Sequence, residues 1–528
     1  MRRKRRFWGI LILAVILDGA FSACRKNPPE AVVFPGAKAC DLRLETSVFK
    51  TKTGRNRADQ GALIVPENRE KPDSRLIALP IVRIRAEAAK PDEPIFYLAG
   101  GPGQSNLKFR PPDELLARHD FVLVGYRGVD GSSRLDCPEV RRAIKGVGGD
   151  ILGASSLAAL KGAFEGCAAR LQGEGADLDA YTMLDVVRDL EMARTALGYE
   201  RIDLLSQSYG TRVAQIYAHH FPETIRRSVM IGVNPPGHFV WEAGTIDRQL
   251  EYYARLWERD EKARARSSGL VQTMRNVIRD MPRRWLFIPI DRGKVKLISF
   301  ALLYHRKTAA QVFDAYVAAE GGDASGLALM SLAYDLMFPK MIIWGDLIAK
   351  AASADFDPKR DYALEMDPPG SILGSPFSKL LWSVAAWPTA PLPEDDRRPQ
   401  PSSVETLLVG GSIDFSTPAE NATRELLPLL SRGKQVILAE MGHTGDFWNV
   451  DRPAAIRLLS TFFDTGVADD SAFAYVPMDF HVAWGFPLLA KAGLGLGALI
   501  ILALVGSPWL IRRRIRRRKA RRASVRSS

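Results

Sequence analysis

The chain has 528 residues, of which 46% are hydrophobic and 25% charged, which excludes a disordered, collagen-like or coiled-coil protein. Its formal net charge is +13, but five positive charges lie within residues 2–6 and ten lie between Arg512 and Arg526. Removing those five and ten charges from +13 leaves −2 for the rest of the chain, so nothing supports nucleic-acid binding. The length allows one large domain with insertions, or two to three smaller domains.

Residues 1–23 have the pattern of a secretory signal peptide. A basic start is followed by an apolar run from Phe7 to Leu17, which is too short to span a membrane comfortably, and then by small residues. The next residue, Cys24, resembles a bacterial lipoprotein processing site and is a candidate for lipid attachment. Cleavage by an ordinary signal peptidase and retention as an uncleaved anchor are the alternatives.

The segment 492–511 is uncharged and mostly apolar, about the length needed to cross a hydrocarbon core of roughly 30 Å. We predict a transmembrane helix over 488–511, reached by a linker over 467–487. The basic tail over 512–528 would stay in the cytoplasm by the positive-inside rule. The rest of the protein would then lie on the outer face of a bacterial cell membrane.

Short apolar runs alternate with turns and helical patterns in the first half of the chain. The runs at 61–68 and 76–84, separated by a turn-like segment, predict an antiparallel hairpin. Helical spacing recurs at 182–198 and 211–221. This alternation predicts an α/β fold with a mostly parallel sheet. Four further runs are apolar, as expected of strands buried on both faces: 95–100, 121–126, 202–206 and 228–232.

From about residue 235 the pattern changes to helical periodicity, and strand-like runs resume only at 405–411 and 434–440. A sheet domain interrupted by a mainly helical insertion explains this change. The predicted boundaries are 24–235 and 401–466 for the two parts of the sheet domain, and 236–400 for the insertion.

Ser208 lies in LLSQSYGTRVA, residues 204–214, between a predicted strand and a predicted helix. This context fits a nucleophile elbow, G-x-S-x-G, in which crowding of the backbone requires small residues on both sides of the serine. Gly210 fits the pattern, whereas Ser206 stands where the first glycine belongs. A polar turn is the alternative interpretation.

A nucleophilic serine needs a base and an acid, which follow it in the order Asp, His on this type of sheet. Asp414 lies in a loop after one predicted strand and His443 in a loop after the next. His238 precedes Asp414 in the chain, and His481 lies beside the predicted membrane helix. Asp414 and His443 are therefore the candidate acid and base.

The glycine-rich segment 99–105, AGGPGQS, directly follows a predicted strand, where its backbone N–H groups could hold an oxyanion. A phosphate-binding loop is the competing interpretation, but GKS or GKT is absent. The chain also lacks H-E-x-x-H, and we predict neither a metal nor a cofactor.

Four cysteines occur in the chain. Cys137 and Cys167 lie in the first half of the sheet domain and are candidates for a disulfide in an oxidising compartment. Cys40 would then be free, although the sequence alone does not fix the connectivity.

The motifs LAGGPGQS, GYRGVDGSS, SQSYGT, GGSIDFSTP and MGHTG together resemble the proline iminopeptidase and tripeptidyl aminopeptidase branch of the α/β-hydrolase superfamily. The resemblance covers roughly residues 60–460. It implies an α/β-hydrolase fold with a helical cap over the active site, and peptidase or related activity, often on peptides with a free N-terminus. By motif matching it implies these roles: Ser208 as nucleophile, Asp414 as acid, His443 as base, and the backbone N–H groups of Gly101 and Tyr209 as the oxyanion hole.

Four residues depart from the pattern of that branch. Ala99 replaces a histidine, Gly125 replaces an acidic residue, Asp130 replaces a glycine, and Ser206 replaces the first elbow glycine. These departures leave the three catalytic positions intact but put proline specificity in doubt. Glu242 is a candidate for binding a substrate's α-amino group, and a salt bridge is the alternative.

The sequence therefore predicts a membrane-tethered serine hydrolase outside the cytoplasm, most closely an aminopeptidase that releases residues or short peptides. Its partners would be a peptide, or a small ester or amide, and the membrane, but no nucleic acid. Two other functions stay open: an esterase or amidase with the same three residues, and a catalytically silent binding protein on the hydrolase fold.

Overall fold

The computed structural model describes residues 31–147, 149–385 and 387–499, and its centre is a nine-stranded sheet. Eleven strands are present in these ranges, two of them in a separate small hairpin. Their bounds are β1 Leu42–Lys50, β2 Arg55–Pro66, β3 Leu76–Ile84, β4 Asp92–Leu98, β5 His119–Val124, β6 Ile202–Gln207, β7 Ile225–Ile231, β8 Arg284–Trp285, β9 Ile288–Pro289, β10 Glu405–Gly411 and β11 Gly433–Leu438.

The large sheet has the order β1-β2-β3-β5-β4-β6-β7-β10-β11. The strands β1, β2 and β3 pair antiparallel, and β3 is antiparallel to β5. The strands from β5 to β11 in this order are mutually parallel. The predicted hairpin and the mostly parallel sheet are confirmed. Sequence analysis does not predict β1, because this edge strand is largely exposed and lacks a continuous apolar run.

Helices connect the strands, and the regular elements between β7 and β10 are helices apart from the β8–β9 hairpin. In chain order they are α1 Asp113–Leu116, α2 Pro138–Ala143, α3 Ala154–Gly173, α4 Met183–Ala196, α5 Tyr209–His220, α6 Ala243–Arg259, α7 Glu261–Arg264, α8 Leu270–Arg279, α9 Arg292–Leu302, α10 Arg306–Glu320, α11 Ser325–Met337, α12 Trp344–Asp355, α13 Tyr362–Glu365, α14 Pro376–Trp382, α15 Ala419–Asn421, α16 Thr444–Asn449, α17 Arg452–Thr465 and α18 Phe486–Leu499.

The central strands β5 and β6 are buried along their whole length, as the apolar runs predict. Two polar residues of β6 are nevertheless fully buried, and both are hydrogen-bonded. The Asp203 carboxylate accepts from the Arg227 N–H at 3.0 Å, and the Ser206 hydroxyl donates to the Val229 carbonyl at 3.0 Å. Strand β7 thus satisfies polar groups that would otherwise destabilise the core.

Cys137 and Cys167 form a disulfide, with their Cα atoms 5.5 Å apart. The bond joins the start of α2 to the middle of α3. Cys40 is exposed and has no disulfide partner within the described residues.

The predicted signal segment 1–23, Cys24 and the basic tail 512–528 lie outside the described residues. Helix α18 covers the first part of the predicted membrane segment. Its described part, Phe486–Leu499, is apolar, and within the described ranges no single helix has the length and hydropathy of a span. In the same ranges one bent pair, Ser325–Lys340 with Trp344–Asp355 at 83°, reaches those values jointly.

Candidate active site

Ser208 occupies the sharp turn between β6 and α5. Its backbone has φ 51° and ψ −121°, a region that residues other than glycine rarely adopt. Strain of this kind persists only where the surrounding structure imposes it, and it is expected at a nucleophile elbow. The Ser208 N–H donates to the Ile231 carbonyl at 2.9 Å, which fixes the turn to the end of β7.

The two small residues that flank Ser208 are small for different reasons. A Cβ at Gly210 would lie 2.2 Å from the Leu98 carbonyl oxygen, so only glycine fits there. The Ser206 side chain, in contrast, has space and a partner in the Val229 carbonyl. The departure from G-x-S-x-G at Ser206 therefore leaves the turn intact.

Asp414 and His443 lie together at the carboxyl ends of β10 and β11. The His443 Nδ1 and the Asp414 Oδ2 are 2.6 Å apart, and the two side chains are 6% and 1% exposed. A carboxylate only accepts hydrogen bonds, so in the tautomer that forms this bond Nδ1 is the donor and Nε2 is the unprotonated nitrogen. The other Asp414 oxygen accepts from the N–H groups of Ser416 and Thr417.

Ser208 and His443 approach the end of β7 from two sides. Ser208 is bonded to Ile231, and a Cβ at Gly232 would lie 3.0 Å from the His443 Cε1. Among the residues that the structure describes, no hydrogen bond joins the Ser208 hydroxyl to the His443 ring. Such a bond is often long without substrate and shortens in the complex.

The glycine loop 99–105 passes directly over Ser208. A Cβ at Gly100 would lie 3.3 Å from the Ser208 Cβ and 3.9 Å from its Oγ. In the described part of the chain, no hydrogen bond occupies the backbone N–H of Gly101 or of Tyr209. Both predicted donors are therefore available to an oxyanion.

Two core residues, to which sequence analysis gave no role, fix the part of this loop that faces the sheet. The fully buried Asn106 accepts from the Ala99 N–H and donates to the carbonyls of Tyr97 and Val124. Asp130, one of the departures from the family pattern, accepts from the N–H groups of Asn106 and Tyr126. Burial raises the pKa of Asp130, although these hydrogen bonds act in the opposite direction.

Thr417 is a further residue of the site that sequence analysis missed. Its hydroxyl donates to the Asp414 Oδ2 at 2.7 Å and lies 3.1 Å from the His443 Nδ1. The side chain thus contacts both the candidate acid and the candidate base. Only its position three residues after Asp414 in the loop could have indicated this role.

Aromatic side chains form a wall beside His443. Tyr304 packs edge-on against the His443 ring with the centroids 5.0 Å apart, and Phe415 packs against Tyr304. Trp241, which lies between β7 and α6, donates from its indole N–H to the Ser416 carbonyl. This bond attaches Trp241 to the loop that contains Asp414. We call these residues the aromatic wall, which comprises Trp241, Phe300, Tyr304, Phe377 and Phe415.

Glu242 does not present a free carboxylate to a substrate amine. It forms an ion pair with Arg360, at 2.9 and 3.1 Å, and half of its side chain is exposed. The salt bridge was the alternative interpretation of this residue, and it is the one that the structure supports.

The sheet, the strained serine between β6 and α5, and the His–Asp pair at the same sheet edge define an α/β-hydrolase. Two family models match the chain: one described as alpha/beta hydrolase fold, over residues 93–270, and one described as TAP-like protein, over residues 372–472. These matches support an α/β-hydrolase fold, and the curated relatives support the peptidase branch that contains the tripeptidyl aminopeptidases.

Tripeptidyl aminopeptidase of Streptomyces coelicolor is 27% identical over 297 residues, which cover 51% of this chain and 54% of that protein. Serine protease Hip1 of Mycobacterium tuberculosis is 27% identical over 228 residues, covering 41% and 39%. The chain thus spans about half the length, or less, of the curated relatives it matches. A solved serine hydrolase of Cycloclasticus zankles is 14% identical with a TM-score of 0.36, covering 81% of this chain and 100% of that chain.

Proposed function

We propose that the protein is a serine peptidase that uses Ser208, His443 and Asp414. The observation that carries this proposal is the buried His443–Asp414 pair at 2.6 Å, next to a serine held at φ 51°. A free His443 Nε2 and a strained, partly exposed serine are the features that acyl transfer requires.

In the proposed reaction, the Ser208 Oγ attacks the substrate carbonyl while His443 Nε2 takes its proton. Asp414 stabilises the imidazolium that forms, and the N–H groups of Gly101 and Tyr209 hold the oxyanion. His443 then gives the proton to the leaving amine, and the acyl-enzyme forms. His443 then takes a proton from a water molecule, which attacks the acyl carbonyl. When the acid product leaves, His443 returns the proton to the Ser208 Oγ.

The proposed substrates are peptides with a free N-terminus, from which residues or short peptides are released. The similarity to the tripeptidyl aminopeptidases of Streptomyces supports this class of substrate. The aromatic wall favours apolar side chains, because contacts with aromatic rings bury apolar surface next to the reacting carbonyl.

A fluorophosphonate probe tests whether Ser208 is the nucleophile. Wild-type protein should be labelled, and Ser208→Ala should not, because the probe reacts covalently with an activated serine. Ser206→Ala is the matched control, two residues away, and should be labelled like the wild type. Absence of labelling in folded wild-type protein would show a catalytically silent hydrolase fold.

Paired substrates separate an aminopeptidase from an esterase or amidase. Aminoacyl- and peptidyl-naphthylamides should be cleaved much faster than the same compounds with an acetylated amine. Equal rates with the amine blocked would contradict the aminopeptidase proposal and leave the esterase or amidase.

We also propose that the protein is tethered to the membrane, with its catalytic part outside the cytoplasm. Exposed leucines on α18, among them Leu488, Leu496 and Leu499, support this proposal because they continue into the predicted apolar segment. A reporter fused after Arg526 should be active only if it functions in the cytoplasm. Activity of a reporter that folds only outside the cytoplasm would contradict this topology.

A further inference from the structure

We propose that the buried Asp346–Lys350 ion pair positions the glycine loop 99–105 over Ser208. Both residues belong to α12, in the helical segment between β7 and β10, and lie far along the chain from the loop. The proposal rests on the proposed function, because it assigns to this pair the placement of the oxyanion donors.

The contact between α12 and the loop is made through Gly103. The Gly103 N–H donates to the Asp346 Oδ2 at 3.0 Å, and the Gly103 carbonyl accepts from the Ile343 N–H at 2.9 Å. Both backbone groups of Gly103 are therefore fixed to the start of one helix. Gly103 has φ +83°, and a Cβ there would lie 2.9 Å from the Ile343 carbonyl oxygen, so only glycine allows this approach.

The charge of Asp346 is balanced inside the protein. Its other carboxylate oxygen contacts the Lys350 ammonium, which also donates to the Arg127 carbonyl at 3.1 Å. Neither side chain of the pair has any solvent-exposed surface. Burial raises the pKa of Asp346 and lowers that of Lys350, while the charge of each partner acts in the opposite direction.

A buried ion pair is a weak source of stability, because an apolar pair of similar volume is often equally stable or more stable. What an apolar pair cannot supply is a carboxylate oxygen for the Gly103 N–H. A hydrogen bond to an ionised acceptor is shorter and stronger than one between neutral groups. The buried pair therefore supplies a charged hydrogen-bond acceptor for Gly103, which an apolar core would not supply.

Gly103 is two residues from Gly101, the predicted oxyanion donor. The sheet domain fixes the loop through Asn106 and Asp130, and α12 fixes it through Asp346. Without the contact to Asp346, the part of the glycine loop that faces α12 would no longer be held in place. A displacement of about 1 Å at a reacting group can cost about 100-fold in rate.

Two double variants separate positioning from stability. Asp346→Leu with Lys350→Met removes both charges and the acceptor, whereas Asp346→Asn with Lys350→Met removes both charges but keeps an acceptor oxygen for Gly103. The measurements are the melting temperature and the kinetics of inactivation by a fluorophosphonate, resolved into the maximal rate and the concentration at half-maximal rate.

We expect the Leu/Met variant to fold and to lose at least about 10-fold in the maximal inactivation rate, with little change in the half-maximal concentration. The Asn/Met variant should recover to within about 3-fold of the wild type. Lys296→Met with Asp367→Asn, another ion pair of the helical segment, is the control and should react like the wild type.

Equal rates for the Leu/Met variant and the wild type, or an Asn/Met variant as slow as the Leu/Met variant, would overturn the positioning role. If the Leu/Met variant does not fold, the maximal inactivation rates of the Asn/Met variant and of the single variant Asp346→Asn are compared with that of the wild type instead. Loss of rate in both variants contradicts the proposal. A wild-type protein that does not react at all refutes the proposed function instead, so the two failures are distinguishable.

Discussion

Because Gly210 packs closely against the Leu98 backbone, replacing Gly210 by a larger residue should destabilise the protein. In Gly210→Ala the new Cβ would overlap the Leu98 carbonyl oxygen, and neither the strand nor the helix can shift without displacing Ser208. We expect the free energy of unfolding to fall by about 3 kcal/mol or more. Urea denaturation followed by circular dichroism measures this change.

The matched control is Gly166→Ala in the middle of α3, where a Cβ would meet no atom within 4 Å. Because alanine is the better helix former, this variant should gain about 0.5–1 kcal/mol. A Gly210→Ala protein as stable as the wild type would show that the elbow is less tightly packed than the described contact implies.

In the proposed reaction, Thr417 would act by orienting Asp414 and His443, both of which it contacts. In Thr417→Val the hydroxyl that donates to Asp414 is lost while the shape is kept. We expect kcat to fall roughly 10-fold, since a hydrogen bond to a charged group is worth about 1.5–3 kcal/mol, with KM nearly unchanged. Thr417→Ser should restore kcat. Steady-state kinetics on a naphthylamide substrate measures both constants, and a Thr417→Ser variant as slow as Thr417→Val would point to packing instead.

Strand β6 contains a titrating group whose effect on stability has a definite sign. Burial raises the pKa of Asp203 to about 8, even though the charges of Arg226 and Arg227 lower it. The unfolded chain loses this proton near pH 4, so the folded state binds more protons between about pH 4 and pH 8. The contribution of Asp203 to stability is therefore present at low pH and is lost as the pH rises through this range.

Replacing Asp203 by asparagine should remove this pH dependence. The melting temperature of Asp203→Asn, relative to that of the wild type, should rise from pH 5 to about pH 8 and level off above it. Thermal unfolding in a series of buffers at constant ionic strength measures the difference. A difference that stays constant with pH would mean that Asp203 is ionised throughout and paired with Arg226, 3.5 Å away.

The strands of the sheet were predictable because burial on both faces leaves continuous apolar runs, as in β5 and β6. Asp414 and His443 became candidates because each follows a predicted strand in the order that the family pattern expects. Asp346 and Asn106 could not be found in this way. Their roles depend on contacts with Gly103 and Ala99 that arise only when separate segments pack, and no local pattern records such a contact.

At the scale of the whole molecule, the Cys137–Cys167 disulfide closes a loop across 30 positions of the chain. A loop of this length predicts a stabilisation of roughly 3–4 kcal/mol through the entropy of the unfolded chain. Cys137→Ala with Cys167→Ala should therefore lower the melting temperature by several degrees. Reducing agent should lower that of the wild type and leave that of the double variant unchanged.

Cys40→Ser serves as the control, because this exposed thiol pairs with no other cysteine in the part of the chain that the structure describes. Its melting temperature should equal that of the wild type with and without reducing agent. A double alanine variant as stable as the oxidised protein would show that the surrounding core, rather than the covalent link, fixes α2 against α3.

The pairing of β7 with β10 joins two parts of the sheet across residues 232–404. Closing so long a loop costs chain entropy, but the cost grows only with the logarithm of length. Lengthening a connection of about ten residues to one of this size adds roughly 2.5 kcal/mol. The sheet can therefore accept helical segments of very different length at this point, so the structure over the candidate active site can vary while Ser208, Asp414 and His443 keep their places.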